Sequence, residues 1–275
     1  DELHADRAAR RTKDESGGND VALPRRLSWT RVVAAAVPLA IATAAAIWVF
    51  DDPLPPTDSR SRIGKQGAAH TPRRQSPFDL SGAIVPATEI RSGGPPIDGI
   101  PALSQPALVS ADLAAYLAAA DRVVGVELGG QARAYPLKIL NFHEIVNDSI
   151  VDRAVAVTYC PLCDSVAVID RDQTLEGREL GVSGLLYNSN VLMYDRDVET
   201  PSLWSQLLGK AIAGPRVESP LVYLPATLTT WEAWKARYPD TTVLSAKTGH
   251  VREYSHNPYA VYFQSDRPMF PVAPT

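Results

Sequence analysis

The sequence predicts an α+β domain, mostly short antiparallel strands with two or three short helices, behind one N-terminal transmembrane helix. Three observations carry this. The run Val32 to Phe50 has no charged residue. From position 123 onward, short apolar runs alternate with polar residues and are separated by turn residues, the pattern of half-buried strands. Few segments carry a helical stripe, and none of those is long.

The nineteen residues from Val32 to Phe50 would span roughly 28 Å as a helix at about 1.5 Å per residue, close to the hydrocarbon thickness. Arg25, Arg26 and Arg31 precede the run, and Asp51 and Asp52 follow it. The positive-inside bias therefore puts 1–31 in the cytoplasm as a tail without regular structure, 32–50 in the membrane, and the rest outside. Ala44-Ala45-Ala46 would serve a cleaved signal instead. Arg25-Arg26-Leu27 is a weak twin-arginine match, because Ser28 stands where a large apolar residue is usual. All of these readings export the domain. The first residue is Asp rather than Met, which points to a trimmed chain.

Ten prolines lie between Pro53 and Pro106, too many for sustained hydrogen-bonded structure. Residues 51–77 read as a semi-rigid linker and 78–275 as an extracytoplasmic globular domain. About 200 residues can bury a core without staples. Two cysteines cannot form a disulfide framework. A net charge of −4 without clustered Lys and Arg excludes a nucleic-acid surface. The membrane is the partner expected, through the single N-terminal helix.

Within the domain, Ser110 to Leu117 has a helical stripe with Ser110 as cap. Val123 to Leu128 and Ala132 to Tyr135 flank Gly129-Gly130, a hairpin signal. Pro136 begins a short helix running through Val146. Strands are expected at Ala154 to Tyr159, Ser165 to Asp170, Leu180 to Tyr187 and Val191 to Arg196, with a turn at Asn188-Ser189-Asn190. Thr229 with Glu232 makes a capping-box pattern for a helix near Thr230 to Tyr238. Val243 to Ser245 and Ala260 to Phe263 read as late strands. Asp195 and Arg196 read as an ion pair at a strand end.

Cys160-Pro161-Leu162-Cys163 is the candidate site. A C-x-x-C pair can grip a metal, cycle between dithiol and disulfide, or close a static bridge. The residues after it alternate as a strand rather than opening a helix, a setting nearer a metal knuckle than a helix-capping redox pair. His143 is the expected third ligand, because Ile139, Leu140, His143 and Val146 share one helix face. The bland alternative is a buried histidine bonded to backbone or to Asn147. A fourth ligand would come from Met193, Asp164, His250 or His256. A thioether would suit copper and a second imidazole zinc, with iron also open. Glu144 points about 100° away from His143 and reads as solvated. Two other readings stand beside the metal: a thiol–disulfide oxidoreductase, and a non-enzymatic binding or scaffold domain with a static disulfide. Ser183 between glycines lacks the second glycine of a nucleophile elbow. Trp204, Trp231 and Trp234 read as core or rim aromatics.

The runs A-R-A-Y-P-L-K-I-L-N-F-H-E-I-V-N-D (132–148), V-T-Y-C-P-L-C-D-S (157–165), G-V-S-G-L-L-Y-N-S-N-V-L-M-Y-D-R (181–196) and S-L-W-S-Q (202–206), with T-T-W-E-A-W (229–234) and N-P-Y (257–259), closely resemble the prokaryotic family known as domain of unknown function 3179. The resemblance implies export or lipid anchoring and brings no activity with it. It also implies a domain that continues beyond F-P-V (270–272). Phe142 stands where the family pattern often has Trp.

Overall fold

Hairpins closed by two left-handed residues organise the chain. The computed structural model describes residues 77–196, 198–266, 270 and 272. The tail 1–31, the span 32–50 and all but the last residue of the linker 51–77 lie outside the described residues. Among the described residues no helix is long and apolar enough to cross a membrane.

In chain order the strands and α-helices are β1 (Ile90–Ser92), β2 (Leu103–Ser104), β3 (Leu108–Ser110), β4 (Arg122–Leu128), β5 (Gln131–Pro136), α1 (Leu137–His143), β6 (Ile145–Ile150), β7 (Arg153–Cys160) and β8 (Ser165–Asp170). Then follow α2 (Arg171–Leu175), β9 (Leu180–Tyr187), β10 (Asn190–Asp195), β11 (Leu203–Ser205), β12 (Lys210–Ala213), β13 (Tyr223–Leu224), β14 (Thr227–Thr230), α3 (Trp231–Arg237), β15 (Thr242–Leu244) and α4 (Ala260–Phe263). They form three five-stranded sheets, in the orders β1-β9-β10-β11-β12, β13-β8-β7-β6-β2 and β14-β4-β5-β15-β3. Only the β2–β6 and β5–β15 pairs are parallel. The fold is α+β and strand-rich, with few short helices.

Three hairpins share one device. Gly129-Gly130, Val151-Asp152 and Asn188-Ser189 join β4 to β5, β6 to β7 and β9 to β10, each with both residues at positive φ. Two-residue loops of that hand match the right-handed twist of paired strands. Glycine and Asn-Ser suit it, whereas Val151 is β-branched and adopts φ +49 against its preference.

Several local expectations give way to tertiary geometry. Ser110 to Leu117 is not an α-helix. Only a 3-10 turn forms at Ala111–Leu113, the Ser110 side chain makes no cap bond, and Leu113 stays exposed. The helix after Pro136 stops at His143, three residues early, because Glu144 takes φ +56 and Ile145 joins a strand. Thr230, not Thr229, caps α3, accepting from the Ala233 N–H at 3.3 Å. Ala260 to Phe263 is a helical turn rather than a strand: the run is short, and the Asn257 carbonyl and side chain accept from Ala260 and Tyr259 N–H. Asp195 and Arg196 do not pair with each other. Arg196 bonds Asp98 at 2.6 Å, and Asp195 accepts from the Ser202 N–H.

Buried polar side chains tie the sheets together. Arg133 on β5 and the Tyr135 hydroxyl both donate to Asp148 on β6 at 2.7 Å. Asn147 on β6 bonds both backbone groups of Leu180 on β9, at 2.9 and 3.0 Å. Trp234 packs against Gly125 of β4, where an added Cβ would come within 2.2 Å of the indole ring. Gly125→Ala is therefore expected to lower stability by about 1–3 kcal/mol through overpacking. Urea denaturation measures this, and an unchanged midpoint would contradict the packing described.

Candidate functional site

The β7–β8 hairpin carries both cysteines. Cys160 is the last residue of β7 and pairs across to Ser165, so the turn between them presents Cys163 beside its own strand partner. Cys160 is buried in the core with Ile145, Met193 and Trp204, whereas Cys163 is half-buried. Both are free thiols.

Their surroundings differ chemically. The Cys163 sulfur lies 3.0 Å from the Ser165 hydroxyl and receives the Asn190 side-chain N–H at 3.3 Å. The single S–H of Cys160 reaches either Cys163 or the Ser189 carbonyl, 3.6 Å away. Hydrogen bonding from Cys160, aided by the Asn190 side-chain N–H and the Ser165 backbone, holds the Cys163 thiol below the ordinary range despite its burial. The same bond, with burial, pushes the Cys160 thiol far up. Of the two thiols, Cys163 is the more readily ionised.

Gln206, just after β11, anchors the donors. Its carboxamide oxygen accepts from Ser165 at 2.6 Å and from Asn190 at 2.9 Å, and its N–H donates to Thr158 on β7 at 2.8 Å. Asn190 in turn accepts from the Leu207 N–H. The network joins β10 and β11 to β7 and β8.

Glu144 adjoins this site and is not solvated, contrary to the helical expectation. It is 8% exposed. Ending α1 at φ +56 turns it inward, where its backbone carbonyl accepts from Tyr159 and its carboxylate from the Tyr259 hydroxyl at 3.2 Å. Burial raises its pKa to about 7, and negative charge on Cys163 adds to the rise. Glu144 lines a cavity of about 550 Å³, walled largely by apolar side chains of β9, the hairpin turn and α4.

The expected third ligand lies in another network. His143 is fully buried, and both ring nitrogens are engaged at 2.7 Å, Nδ1 with the Pro101 carbonyl and Nε2 with the Tyr254 hydroxyl. A carbonyl needs Nδ1–H, so the Tyr254 O–H donates to Nε2 and the Thr248 hydroxyl donates to Tyr254. Burial lowers the His143 pKa to about 4, keeping the ring neutral. Met193 is fully buried in the core against Trp204. Asp164 bonds Tyr159 and Arg122 at the surface. The His250 ring lies tilted 5.2 Å from that of His143 but is exposed, as is His256. Among the described residues no group of three or more His, Cys, Asp or Glu is placed to hold a metal ion.

The family model described as protein of unknown function (DUF3179) matches residues 97–275. The chain belongs to this family. No curated protein and no solved structure matches it. In this family member the cysteines, Glu144, Asn190 and Gln206 all fall within the matched range. From sequence Glu144 reads as solvated and Asn190 as a turn residue, and Ser165, Gln206 and Tyr259 carry no signal of a place at the site. One signal pointed to Glu144: an acid flanked by Phe142, Ile145 and Val146 sits where the chain is being buried. Ser183 donates to the Leu192 carbonyl and accepts from the Leu185 N–H, a strand-bonding role.

Glu144 and His143 should shape the pH dependence of stability in opposite senses. Glu144 has a raised folded pKa, so the folded state binds the extra proton between about 4.5 and 7 and loses stability as pH rises through that window. His143 has a depressed folded pKa, so its contribution is complete above 6.5 and declines as pH falls toward 4. Glu144→Gln should therefore be more stable than the native chain at pH 8, with the gap closing by pH 4.5. Thermal melts across that range check this; a gap independent of pH would contradict the burial of an ionised Glu144.

Proposed function

We propose that Cys160 and Cys163 form a thiol–disulfide redox pair, with Cys163 as the attacking thiolate and Cys160 as the resolving thiol. The observation that carries this reading is the asymmetry of the pair: the Asn190 side-chain N–H is directed at the half-buried Cys163 sulfur at 3.3 Å, while Cys160 is buried in the core. A thiolate is the nucleophile in thiol–disulfide exchange, and the resolving thiol need not be exposed. Placing the nucleophile second suits a strand turn. Where such a pair opens a helix, the helix N-terminus lowers the thiol pKa; here the Asn190 side-chain N–H takes that role.

The exchange balances on these groups. The Cys163 thiolate attacks one sulfur of a partner disulfide, forming a new S–S bond while the partner's second sulfur leaves as thiolate. That thiolate takes the Cys160 proton. Cys160 then attacks Cys163, the Cys160–Cys163 bond forms, and the partner's first sulfur leaves. The partner gains two electrons and the pair loses two; a dithiol reductant returns the pair to its starting state. Export, expected from Val32 to Phe50, agrees with this reading, because outside the cytoplasm a dithiol oxidises unless a reductant serves it.

Alkylation with iodoacetamide across a pH series, read by peptide mapping, tests the assignment. Cys163 should be modified with a midpoint below roughly 8.5, the ordinary thiol value, while Cys160 stays protected until the chain unfolds. Asn190→Ala should raise the Cys163 midpoint. Cys160→Ser should retain a stable mixed disulfide with 5-thio-2-nitrobenzoate on Cys163. Equal reactivity of both thiols, or a Cys163 midpoint at the ordinary value, would sink the proposal.

A further inference from the structure

The cavity beside the hairpin turn has an unusual charge balance. Its volume of about 550 Å³ is that of a small-molecule site. Leu162, Val182, Leu186 and Val191 supply apolar wall, and Tyr259, Tyr262 and Phe270 supply aromatic rings. Glu144 is the one charged residue among the described residues lining it. It is more than nine-tenths buried, and its carboxylate receives only the Tyr259 hydroxyl. Among the described residues the ionisable groups facing it are Tyr259 from the C-terminal segment, Cys160 at the end of β7 and Cys163 from the hairpin turn, with Tyr262 lining the same cavity. None of these brings positive charge.

A carboxylate buried without a counter-ion is costly, and an apolar wall with aromatic faces favours a cation with an apolar body. We propose that this cavity binds a small apolar amine in its protonated form, the ammonium paired with Glu144 and the hydrocarbon part seated among the aliphatic and aromatic walls. A neutral ligand of the same shape would fill the walls and leave the carboxylate uncompensated. An anion would meet Glu144 and the poised Cys163 thiolate together. The inference stands apart from the redox reading, since it needs the carboxylate and the cavity rather than electron transfer.

Proton linkage gives the site a signature. Glu144 must be ionised to pair with an ammonium, and burial sets its pKa near the neutral range, at about 7. Amine affinity should therefore be steady above pH 7 and fall about tenfold per pH unit well below it.

Isothermal titration of the full chain with 2-phenylethylamine, against 2-phenylethanol as the neutral isostere, tests the proposal. At pH 8 the amine should bind about tenfold or more tightly than the alcohol, and the preference should shrink by pH 5.5. Glu144→Gln should remove the preference while alcohol binding persists, which shows that the variant's cavity is intact. Cys163→Ser should retain the preference while losing thiol reactivity, so failure of the redox reading is told apart from failure of this one. Equal affinities for amine and alcohol at pH 8, or an amine preference that survives Glu144→Gln, would overturn the proposal.

Discussion

The carboxamide of Gln206 holds together the part of the molecule on which its chemistry depends. Its oxygen orients the Ser165 and Asn190 side chains, and its N–H binds Thr158, so one side chain links β10 and β11 to the β7–β8 hairpin. An amide buried at 2% exposure must satisfy its hydrogen bonds within the protein. Here that requirement directs the Asn190 N–H at the Cys163 sulfur and holds the Ser165 hydroxyl beside it. Without Gln206 in place, Asn190 would be free to turn its N–H elsewhere, and Cys163 would be an ordinary thiol in a tight turn.

The same rule explains how the three sheets cohere. Arg133 with Asp148, Asn147 with Leu180, and Arg171 with the Val155, Asp148 and Gly177 carbonyls are buried or nearly buried polar groups placed at junctions between elements. Each is compensated by partners from another element, so each also specifies how those elements meet. Glu144 is the exception. It is buried as deeply as Asp148 but, among the described residues, is partnered by a tyrosine hydroxyl rather than an arginine, and its pKa rises accordingly. A structural carboxylate and a functional candidate differ here in whether the fold supplies the opposite charge.

Local conformation places Glu144. A helix continued through Val146 would have carried the acid toward solvent, as its 100° offset from His143 suggests. The left-handed turn at Glu144 ends α1, starts β6 and reverses that direction. His143, one residue earlier, stays inward as expected. Its two nitrogens serve Pro101 and Tyr254, so it acts as a neutral tie between α1, the Pro101 segment and the Tyr254 turn rather than as a partner of the cysteines.

The sequence by itself determined the strand-rich α+β class, the hairpins at Gly129-Gly130 and Asn188-Ser189, the strands that flank the cysteines, and the cysteine turn as the place to look. Those follow from alternation, turn chemistry and residue type, all of which act over a few positions. The burial of Glu144, the engagement of both His143 nitrogens by Pro101 and Tyr254, and the placing of Asn190 and Ser165 beside Cys163 by Gln206 were settled only by tertiary structure. Each depends on contacts between residues far apart in the chain, and a period of two or 3.6 residues carries no information about which distant side chain completes a hydrogen bond or leaves a charge unpaired.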